Sequence, residues 1–200
     1  MPVTIDGTTG VTTPGATVGA ITGILKATSG VVSQAVAGTD YLTSTSGGAI
    51  TLGTAQTPSG VSAVDFTGIP SWVKRITVMF QGVSTNGGSQ MQIQLGAGSV
   101  VISNYKGSVW EANTTNSLNS TGFRITGNMS AADIWNGSAI ISNMGSNVWT
   151  IQSIFGRQDV ATSAISGGSI SVGGTLDRLR ITTLGGTDTF DAGTINISYE

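Results

Sequence analysis

The sequence predicts an all-β protein, and three observations indicate this fold class. Short runs of alternating polar and apolar residues recur along the chain, most clearly at 76–81 and 90–95. Turn-forming pairs rich in glycine and asparagine separate these runs, for example at 86–88, 136–137 and 185–186. No window of about 12 or more residues has apolar residues at helical spacing. Many short strands at this spacing favour a β-sandwich or jelly-roll domain.

The first 60 residues differ in composition from the rest of the chain. Up to Gly60 the charged residues are Asp6, Lys26 and Asp40, and the aromatic residue is Tyr41. So few large apolar side chains cannot bury a core that offsets the conformational entropy of the segment. The segment is therefore either flexible or, as we prefer because Val and Ile recur through it, ordered by copies of the same chain or by a docking partner.

This change in composition divides the chain into three predicted regions. Residues 1–43 form an extended N-terminal attachment and shaft segment rich in Gly, Thr and Ser. Residues 44–60 have low complexity and are predicted to be a linker or a thin shaft strand. Residues 61–200 form a C-terminal β-sandwich or jelly-roll-like domain, which contains all 4 Trp and all 5 Phe.

Candidate strands follow one another through the C-terminal region. In the run at 76–81 the residues Ile76, Val78 and Phe80 share one face, as the period of two residues in a strand requires. The run at 90–95 alternates in the same way. The remaining candidate strands are 100–103, 122–126, 139–142, 148–155, 169–172, 179–183 and 194–199.

The composition excludes several kinds of chemistry. The chain has no Cys and no His. It therefore cannot form disulfides, thiol nucleophiles, imidazole bases or the common zinc, copper and haem sites. The nucleophile–His–acid arrangement of hydrolases is excluded for the same reason.

Charge and hydropathy limit the partners. The chain has 8 Lys and Arg and 10 Asp and Glu, which gives a net charge of −2. So few cations, scattered along the chain, do not predict nucleic-acid binding. No stretch approaches the roughly 18 continuous apolar residues of a membrane span. The residues after Met1 lack the charged and apolar regions of a signal peptide, so we expect synthesis in the cytoplasm and release by a route such as lysis.

The acidic residues are candidates for catalytic groups, since glycoside hydrolysis needs two carboxyl groups at a defined separation. Most lie beside Gly or Thr and are expected to cap turns. Asp188 and Asp191 could share a loop, or bind Ca²⁺ together with backbone carbonyls, but a longer acidic loop is missing. We therefore predict no enzymatic activity, no metal site and no cofactor. The acidic residues considered are Glu111, Asp133, Asp159, Asp177, Asp188 and Asp191.

Two of the tryptophans are candidates for binding sugars. Trp110 precedes Asn113, and Trp135 adjoins Asn136. An indole face stacks on the apolar face of a sugar ring, and neighbouring amides form hydrogen bonds with its hydroxyls. The alternative for either Trp is burial in the sandwich or in a subunit interface. The two that we expect in the core, because they flank or lie in apolar strands, are Trp72 and Trp149.

Parts of the sequence resemble tail-fibre and related virion proteins of phages. Residues 5–18 are similar to an N-terminal segment frequent in such proteins. Residues 23–41 resemble a repeat-like shaft motif, a hydrophobic hairpin closed by Gly-Thr-Asp-Tyr. Residues 67–78 resemble the opening of C-terminal β domains in phage fibres, and 179–199 suit the closing strands of the same domain.

The resemblance implies a homotrimer in the virion, attached to other tail or capsid proteins through its N-terminal segment, with the C-terminal domain facing outward. The shaft-like motif occurs once, which implies a short fibre or spike. Such a protein mediates attachment to a glycan or protein of the host surface. The alternatives are a head-fibre, collar or decoration protein with a purely structural role and, less favoured, a polysaccharide-degrading spike.

Overall fold

The computed structural model describes residues 23–29, 31–37, 39–41, 50–112, 117–131 and 133–200. These residues form antiparallel β-sheets joined by turns, with no helix among them, so the prediction of an all-β protein is confirmed. They belong to two compact units whose boundary lies between Gly48 and Ala49.

The first unit contains a short β-hairpin. Its strands β1 (Leu25–Thr28) and β2 (Val31–Gln34) pair antiparallel. After β2, the carboxylate of Asp40 accepts a hydrogen bond of 2.7 Å from the backbone N–H of Val36 and forms an ion pair of 2.8 Å with Lys26. The residues that follow β2 are thereby tied back to β1. This is the hairpin that the resemblance places at 23–41.

The second unit contains two sheets, which we call the large sheet and the small sheet. The large sheet has eight strands in the spatial order β3-β15-β5-β11-β12-β13-β8-β9. Its strands are β3 (Thr51–Leu52), β5 (Arg75–Thr85), β8 (Lys106–Glu111), β9 (Ser117–Leu118), β11 (Trp135–Gly145), β12 (Val148–Arg157), β13 (Ser163–Ser171) and β15 (Phe190–Tyr199). The small sheet has five strands, with β10-β6-β14-β4 in order and β7 paired to β6. Its strands are β4 (Ala63–Thr67), β6 (Met91–Ala97), β7 (Ser99–Val100), β10 (Phe123–Arg124) and β14 (Arg178–Thr183).

Each sheet of the second unit directs one apolar face towards the core, as the alternation in sequence requires. In the small sheet, Ile93 lies opposite Ile181 and Ile181 lies opposite Val64, and all three are buried. In the large sheet, Phe80 and Phe155 pack edge to face with ring centroids 5.0 Å apart. The buried side chains of both sheets form a single hydrophobic core.

The second unit begins earlier than the sequence predicted. Residues 44–60 were predicted as a linker, but Leu52 on β3 pairs with Ser198 on β15. Further along, Gln56 and Ile195 exchange backbone hydrogen bonds, each of 2.8 Å. Residues 50–60 therefore extend the large sheet, which corrects the predicted boundary at 61. The stretch has few large apolar side chains because it lies at the edge of the sheet, where backbone hydrogen bonds hold it.

Several strands also differ from their predicted extent. The candidate at 100–103 is reduced to the two-residue strand β7, and β13 begins at Ser163 rather than at 169. Strand β8 was missed because Val109 and Trp110 are adjacent apolar residues, which hides the alternation. Strand β11 begins at Trp135, four residues before the predicted start at 139.

Strands β5 and β15 contain a pair of glycines that lets them approach closely. Gly193 has φ +90, in the left-handed region that favours glycine. A Cβ atom on Gly193 would lie 2.4 Å from the carbonyl oxygen of Gly82, which itself has φ +64. The register of the two strands shifts here, at a β-bulge between Ala192 and Thr194.

Candidate functional site

The face of the large sheet that points away from the core carries a row of exposed apolar side chains. Trp110 on β8 lies opposite Ile165 on β13, and Ile165 lies opposite Ile154 on β12. Their exposed fractions are 49% for Trp110, 47% for Ile165 and 66% for Ile154. We call these three residues the Trp110 stripe. Neighbouring large apolar groups on a surface typically mark a contact with another molecule.

The surface around the Trp110 stripe is almost uncharged. Between β5 and β13 the outward positions next to the stripe hold hydroxyl, amide, glycine or aliphatic side chains. In register order these neighbours are Met79, Ser138, Thr77, Ile140, Gln152 and Gly167. At one end of this face Arg75 pairs with Glu200 and Lys106 lies opposite Ser169, and at the other end of β5 the Asp191 carboxylate accepts a hydrogen bond from Ser84. A second protein surface could therefore cover the face without burying an unpaired charge.

The structure separates the two tryptophans that were predicted to bind sugars. Trp110 is half exposed, and its indole is available to a ligand. Trp135 is 0% exposed and lies in the hydrophobic core. A sugar cannot stack on a fully buried indole, so a ligand role for Trp135 is corrected here to a packing role. Trp149 is buried, as expected, and Trp72 packs against the core and Tyr199, with ring centroids 5.8 Å apart.

Asn136, which was predicted to form a site with Trp135, has a structural partner instead. The side-chain oxygen of Asn136 accepts a hydrogen bond of 2.7 Å from the backbone N–H of Gly82. This bond holds β5 against β11 where the register of the two strands shifts. Asn113 lies outside the described residues. Of the three predicted ligand-binding residues that the structure describes, Trp110 is the one that presents a large exposed side chain at the surface.

A second candidate site is a polar cleft of about 590 Å³ on the outward face of the small sheet. Its floor is formed by Gln92 and Gln94 of β6 and by Thr182 of β14. These glutamines are 3% and 5% exposed, although they point away from the hydrophobic core. Thr121 and the exposed Ile102 line the cleft as well. We call this site the glutamine cleft.

Hydrogen bonds fix the side chains of the glutamine cleft. Gln94 donates from Nε2 to the carbonyl oxygen of Thr121 (2.8 Å), and the hydroxyl of Thr121 donates to Gln92 Oε1 (3.0 Å). Gln92 in turn donates to the carbonyl oxygen of Thr183 (3.4 Å). Within the described residues, no donor reaches Gln94 Oε1, which leaves this oxygen as an acceptor for a ligand.

An ion pair stands at one side of the glutamine cleft. The guanidinium of Arg180 forms two hydrogen bonds of 2.7 Å with the two carboxylate oxygens of Asp65. These bonds hold the pKa of Arg180 above its ordinary value. Arg178 is paired with Asp177 at 2.8 Å. Both arginines therefore have a carboxylate partner within the chain.

The most buried acidic residues form an ionic cluster at the end of β11 and β12. Arg157 contacts Asp133 at 2.5 Å and Asp159 at 2.6 Å. Glu111 is buried nearby, and its burial raises its pKa above the ordinary value, while the charge of Arg157 and a hydrogen bond from the backbone of Gly127 partly offset this. Asp133 and Glu111 are buried and Arg157 joins Asp133 to the exposed Asp159, so each of these charges has an internal partner or a buried position, which favours a structural role over one with a substrate.

The two aspartates considered as a catalytic or Ca²⁺-binding pair have separate structural partners. Asp188 accepts a hydrogen bond of 2.7 Å from the backbone N–H of Ser89, across the turn after β5. Asp191 accepts one from the hydroxyl of Ser84. A Cβ atom at residue 87 would lie 2.3 Å from the Asp188 carboxylate, so a larger residue there would displace this side chain. In the part of the chain that the structure describes, no three acidic residues are grouped so as to hold a metal ion.

Sequence reasoning missed the glutamine cleft, although part of its signal was visible. Gln90, Gln92 and Gln94 alternate with apolar residues, which predicted one polar face on β6. The loop that contains Thr121 covers this face. This contact could not be predicted from the strand, because the loop is distant in sequence.

Comparisons with protein-family models, with curated proteins and with solved structures gave no match to this sequence. Within the described ranges, no helix has the length and apolarity to cross a membrane.

Proposed function

We propose that this protein is a non-enzymatic structural subunit of a phage particle, a short tail fibre or spike that attaches the particle to the host surface. The observation that carries the proposal is the outward face of the large sheet, which is almost uncharged and bears the Trp110 stripe. Such a face is stabilised when another subunit removes its apolar side chains from water.

The proposal includes a β-sandwich for the second unit, of the jelly-roll type. Support comes from the single core to which both sheets contribute. Tyr105, in the segment before β8, packs edge to face on Phe123 of the small sheet with ring centroids 4.8 Å apart. Its hydroxyl also accepts a hydrogen bond of 2.8 Å from the backbone N–H of Leu95. Two sheets that share a core in this manner are the usual basis of a sandwich.

We propose that copies of this chain cover the neutral face and form a homotrimer. Identical copies meet there without like-charge repulsion, which otherwise costs several kcal/mol. The edges of the large sheet favour contact through its face, since in the part of the chain that the structure describes the regular edge strands β3 and β9 have two residues each and residues 53–60 continue the β3 edge only through isolated bridges. Short edge strands offer few backbone groups for pairing with another sheet.

The first unit supports an attachment role. Four large aliphatic side chains of the described hairpin region are about half exposed, which is unusual for a segment of this size. They are Ile24, Leu25, Val32 and Val36. We propose that neighbouring chains or a virion protein cover these side chains. The second unit would then face outward as the shaft-like motif implies, and several weak contacts per particle would add to a firm attachment.

Sedimentation velocity of the full chain tests the assembly. We expect a trimer that persists on dilution. A folded species that sediments as a monomer at all concentrations would contradict the proposal, because the neutral face would then be stable in water without a partner.

The exposed hairpin also fits a second candidate function, that of a head-fibre, collar or decoration protein, since docking on a particle requires only the first unit. Antibodies against residues 61–200 distinguish the two functions in an adsorption assay. Inhibition of adsorption to host cells supports the fibre or spike. Normal adsorption with bound antibody supports the decoration protein.

A further inference from the structure

We propose that the glutamine cleft, formed by Gln92, Gln94, Thr121, Arg180 and Thr182 with Ile102 at its side, binds a neutral oligosaccharide. This inference rests on the proposed attachment function and names the ligand of that function, at a site other than the tryptophans that sequence reasoning selected.

The polar groups of the cleft are held in place before a ligand binds. Gln92 and Gln94 are almost fully buried and are fixed through Thr121. Gly122 allows this contact, because a Cβ atom there would lie 2.8 Å from Gln92 Oε1 and 3.0 Å from Gln94 Cγ. Fixed side chains lose little conformational entropy on binding, which is what a weak polar ligand requires of its site.

The donors and acceptors of the cleft are neutral. Gln94 presents the free acceptor Oε1, and the hydroxyl of Thr182, which donates to the carbonyl oxygen of Ser62 at 2.8 Å, keeps its lone pairs for a ligand. The one cation in the lining, Arg180, is already paired with Asp65. The cleft therefore favours a ligand with many hydroxyl groups over a phosphate or a carboxylate.

The cleft also has the size and the apolar surface that a sugar ring needs. Its volume of about 590 Å³ lies in the range of about 300–1,000 Å³ typical of pockets for small ligands. Ile102 is exposed, and Leu184 is partly exposed at the end of β14. These aliphatic side chains can contact the C–H groups of a ring whose hydroxyls face the glutamines.

A peptide fits this position less well than a saccharide. Peptides that bind to sheets typically add a strand along an edge, where backbone groups are free. The cleft lies on the face of β6 and β14, two strands whose backbones are paired on both sides. It therefore offers side-chain amides and hydroxyls, which are suited to scattered hydroxyl groups.

The test is a titration of the whole chain, uniformly labelled with ¹⁵N, with maltotriose, cellotriose, mannotriose and chitotriose. We expect at least one trisaccharide to shift the side-chain amide resonances of Gln92 and Gln94 in a saturable manner. Gln94→Met keeps the length of the side chain and removes its amide, and it should weaken that binding at least tenfold. The matched control is Gln158→Met, an exposed glutamine in the connection after β12, which should leave binding unchanged.

Other outcomes would overturn the inference. Absence of saturable shifts with all four sugars would do so, as would equal affinity of Gln94→Met and the wild type. Saturable shifts around Trp110 instead would move the ligand to the large sheet and leave the attachment function standing. Sedimentation of the same samples distinguishes the two proposals. A trimer that binds no sugar contradicts the sugar-binding role of the cleft alone, whereas a monomer contradicts the proposed assembly.

Discussion

Trp110 and Ile165 lie directly opposite each other on β8 and β13, with both side chains directed away from the core. Cross-strand pairs of an aromatic and a β-branched residue stabilise a sheet by roughly 0.2–1 kcal/mol. That gain does not explain why two large apolar groups are left half exposed beside the exposed Ile154. A contact with another subunit does explain it, and the contact can be tested directly.

We expect the double substitution Ile154→Ser and Ile165→Ser to dissociate the proposed trimer, because it removes two of the three apolar side chains of the Trp110 stripe. Both positions are exposed at the surface, so the subunit itself should remain folded. Sedimentation velocity gives the oligomeric state, and circular dichroism checks the fold. Val160→Ser, at an exposed valine in the β12–β13 connection, is the control. An undiminished trimer in the double variant would show that another surface holds the subunits together.

The two candidate tryptophans should differ in their effect on stability. Trp135→Ala removes a fully buried side chain and should lower the free energy of unfolding by about 3–5 kcal/mol. Trp110→Ala should lower the stability of the isolated subunit by about 1 kcal/mol or less, the contribution of its cross-strand pair with Ile165. Urea denaturation of dilute samples measures both values. Similar losses in the two variants would contradict the burial of Trp135.

Tyr105→Phe should destabilise the fold and change its response to alkali. The hydroxyl of Tyr105 accepts from the N–H of Leu95 and donates to the carbonyl of Val101, and leaving such groups unpaired costs about 1–3 kcal/mol. Burial raises the pKa of Tyr105 from 10.0 to about 12, although the hydrogen bond from Leu95 lowers it somewhat. The folded state favours the neutral phenol, so this contribution is complete below pH 10 and is lost as the pH rises towards 12.

Thermal unfolding from neutral pH to pH 12 measures the effect of Tyr105. The wild type should lose stability over the interval above pH 10 more steeply than Tyr105→Phe does. Parallel curves for the two proteins would mean that the phenol titrates normally.

Glu111→Gln should stabilise the protein at neutral pH. Burial raises the pKa of Glu111, so its carboxylate binds a proton more tightly in the folded state than in the unfolded state. Its favourable contribution is present below the ordinary pKa of a glutamate and is lost as the pH rises through the raised value. The amide of Gln imitates the protonated acid, keeps an acceptor for the N–H of Gly127, and removes this dependence. Unfolding midpoints at several pH values between acid and neutral provide the measurement.

Asp159→Asn provides a control of opposite sign for Glu111. The hydrogen bond from Arg157 lowers the pKa of Asp159. Its contribution is therefore present at neutral pH and is lost as the pH falls through the lowered value. If both variants respond to pH in the same direction, the environment of one carboxyl group differs from the one described.

Gly193→Ala should destabilise the protein by at least about 1–3 kcal/mol, since an L-residue is strained at φ +90 and its Cβ would meet the Gly82 carbonyl. Gly156→Ala is the matched control, because its Cβ would find only the Ser163 hydroxyl at 3.7 Å. Denaturant midpoints compare the two. A mild effect at Gly193 would indicate that the bulge can rearrange.

The sequence was sufficient for the all-β fold because strand alternation is local. Ile76, Val78 and Phe80 are all buried, as their spacing predicted. Glycine pairs such as 185–186 form the expected turns, with φ +85 and +67. These features depend on neighbouring residues alone.

The positions of the tryptophans could not be predicted from local composition, since both candidates adjoin polar residues. Extending the alternation backwards from Ile141 through Ala139 reaches Trp135 and would have placed it in the core, but the strand was predicted to start at 139. The glutamine cleft was beyond prediction for a different reason. The cleft forms only when β6 pairs with β14 and when the loop that contains Thr121 contacts the glutamines. Both contacts are long-range in sequence.

The position of β15 bears on when the molecule can fold. This strand is the last of the described strands in sequence order, but it lies inside the large sheet, between β3 and β5. During synthesis β5 therefore has an unpaired flank until residue 199 has left the ribosomal tunnel, and β3 has no strand to join. Closure of the sheet must follow translation of the whole domain, and in that interval the nascent chain has an open edge that chaperones or sister chains can reach.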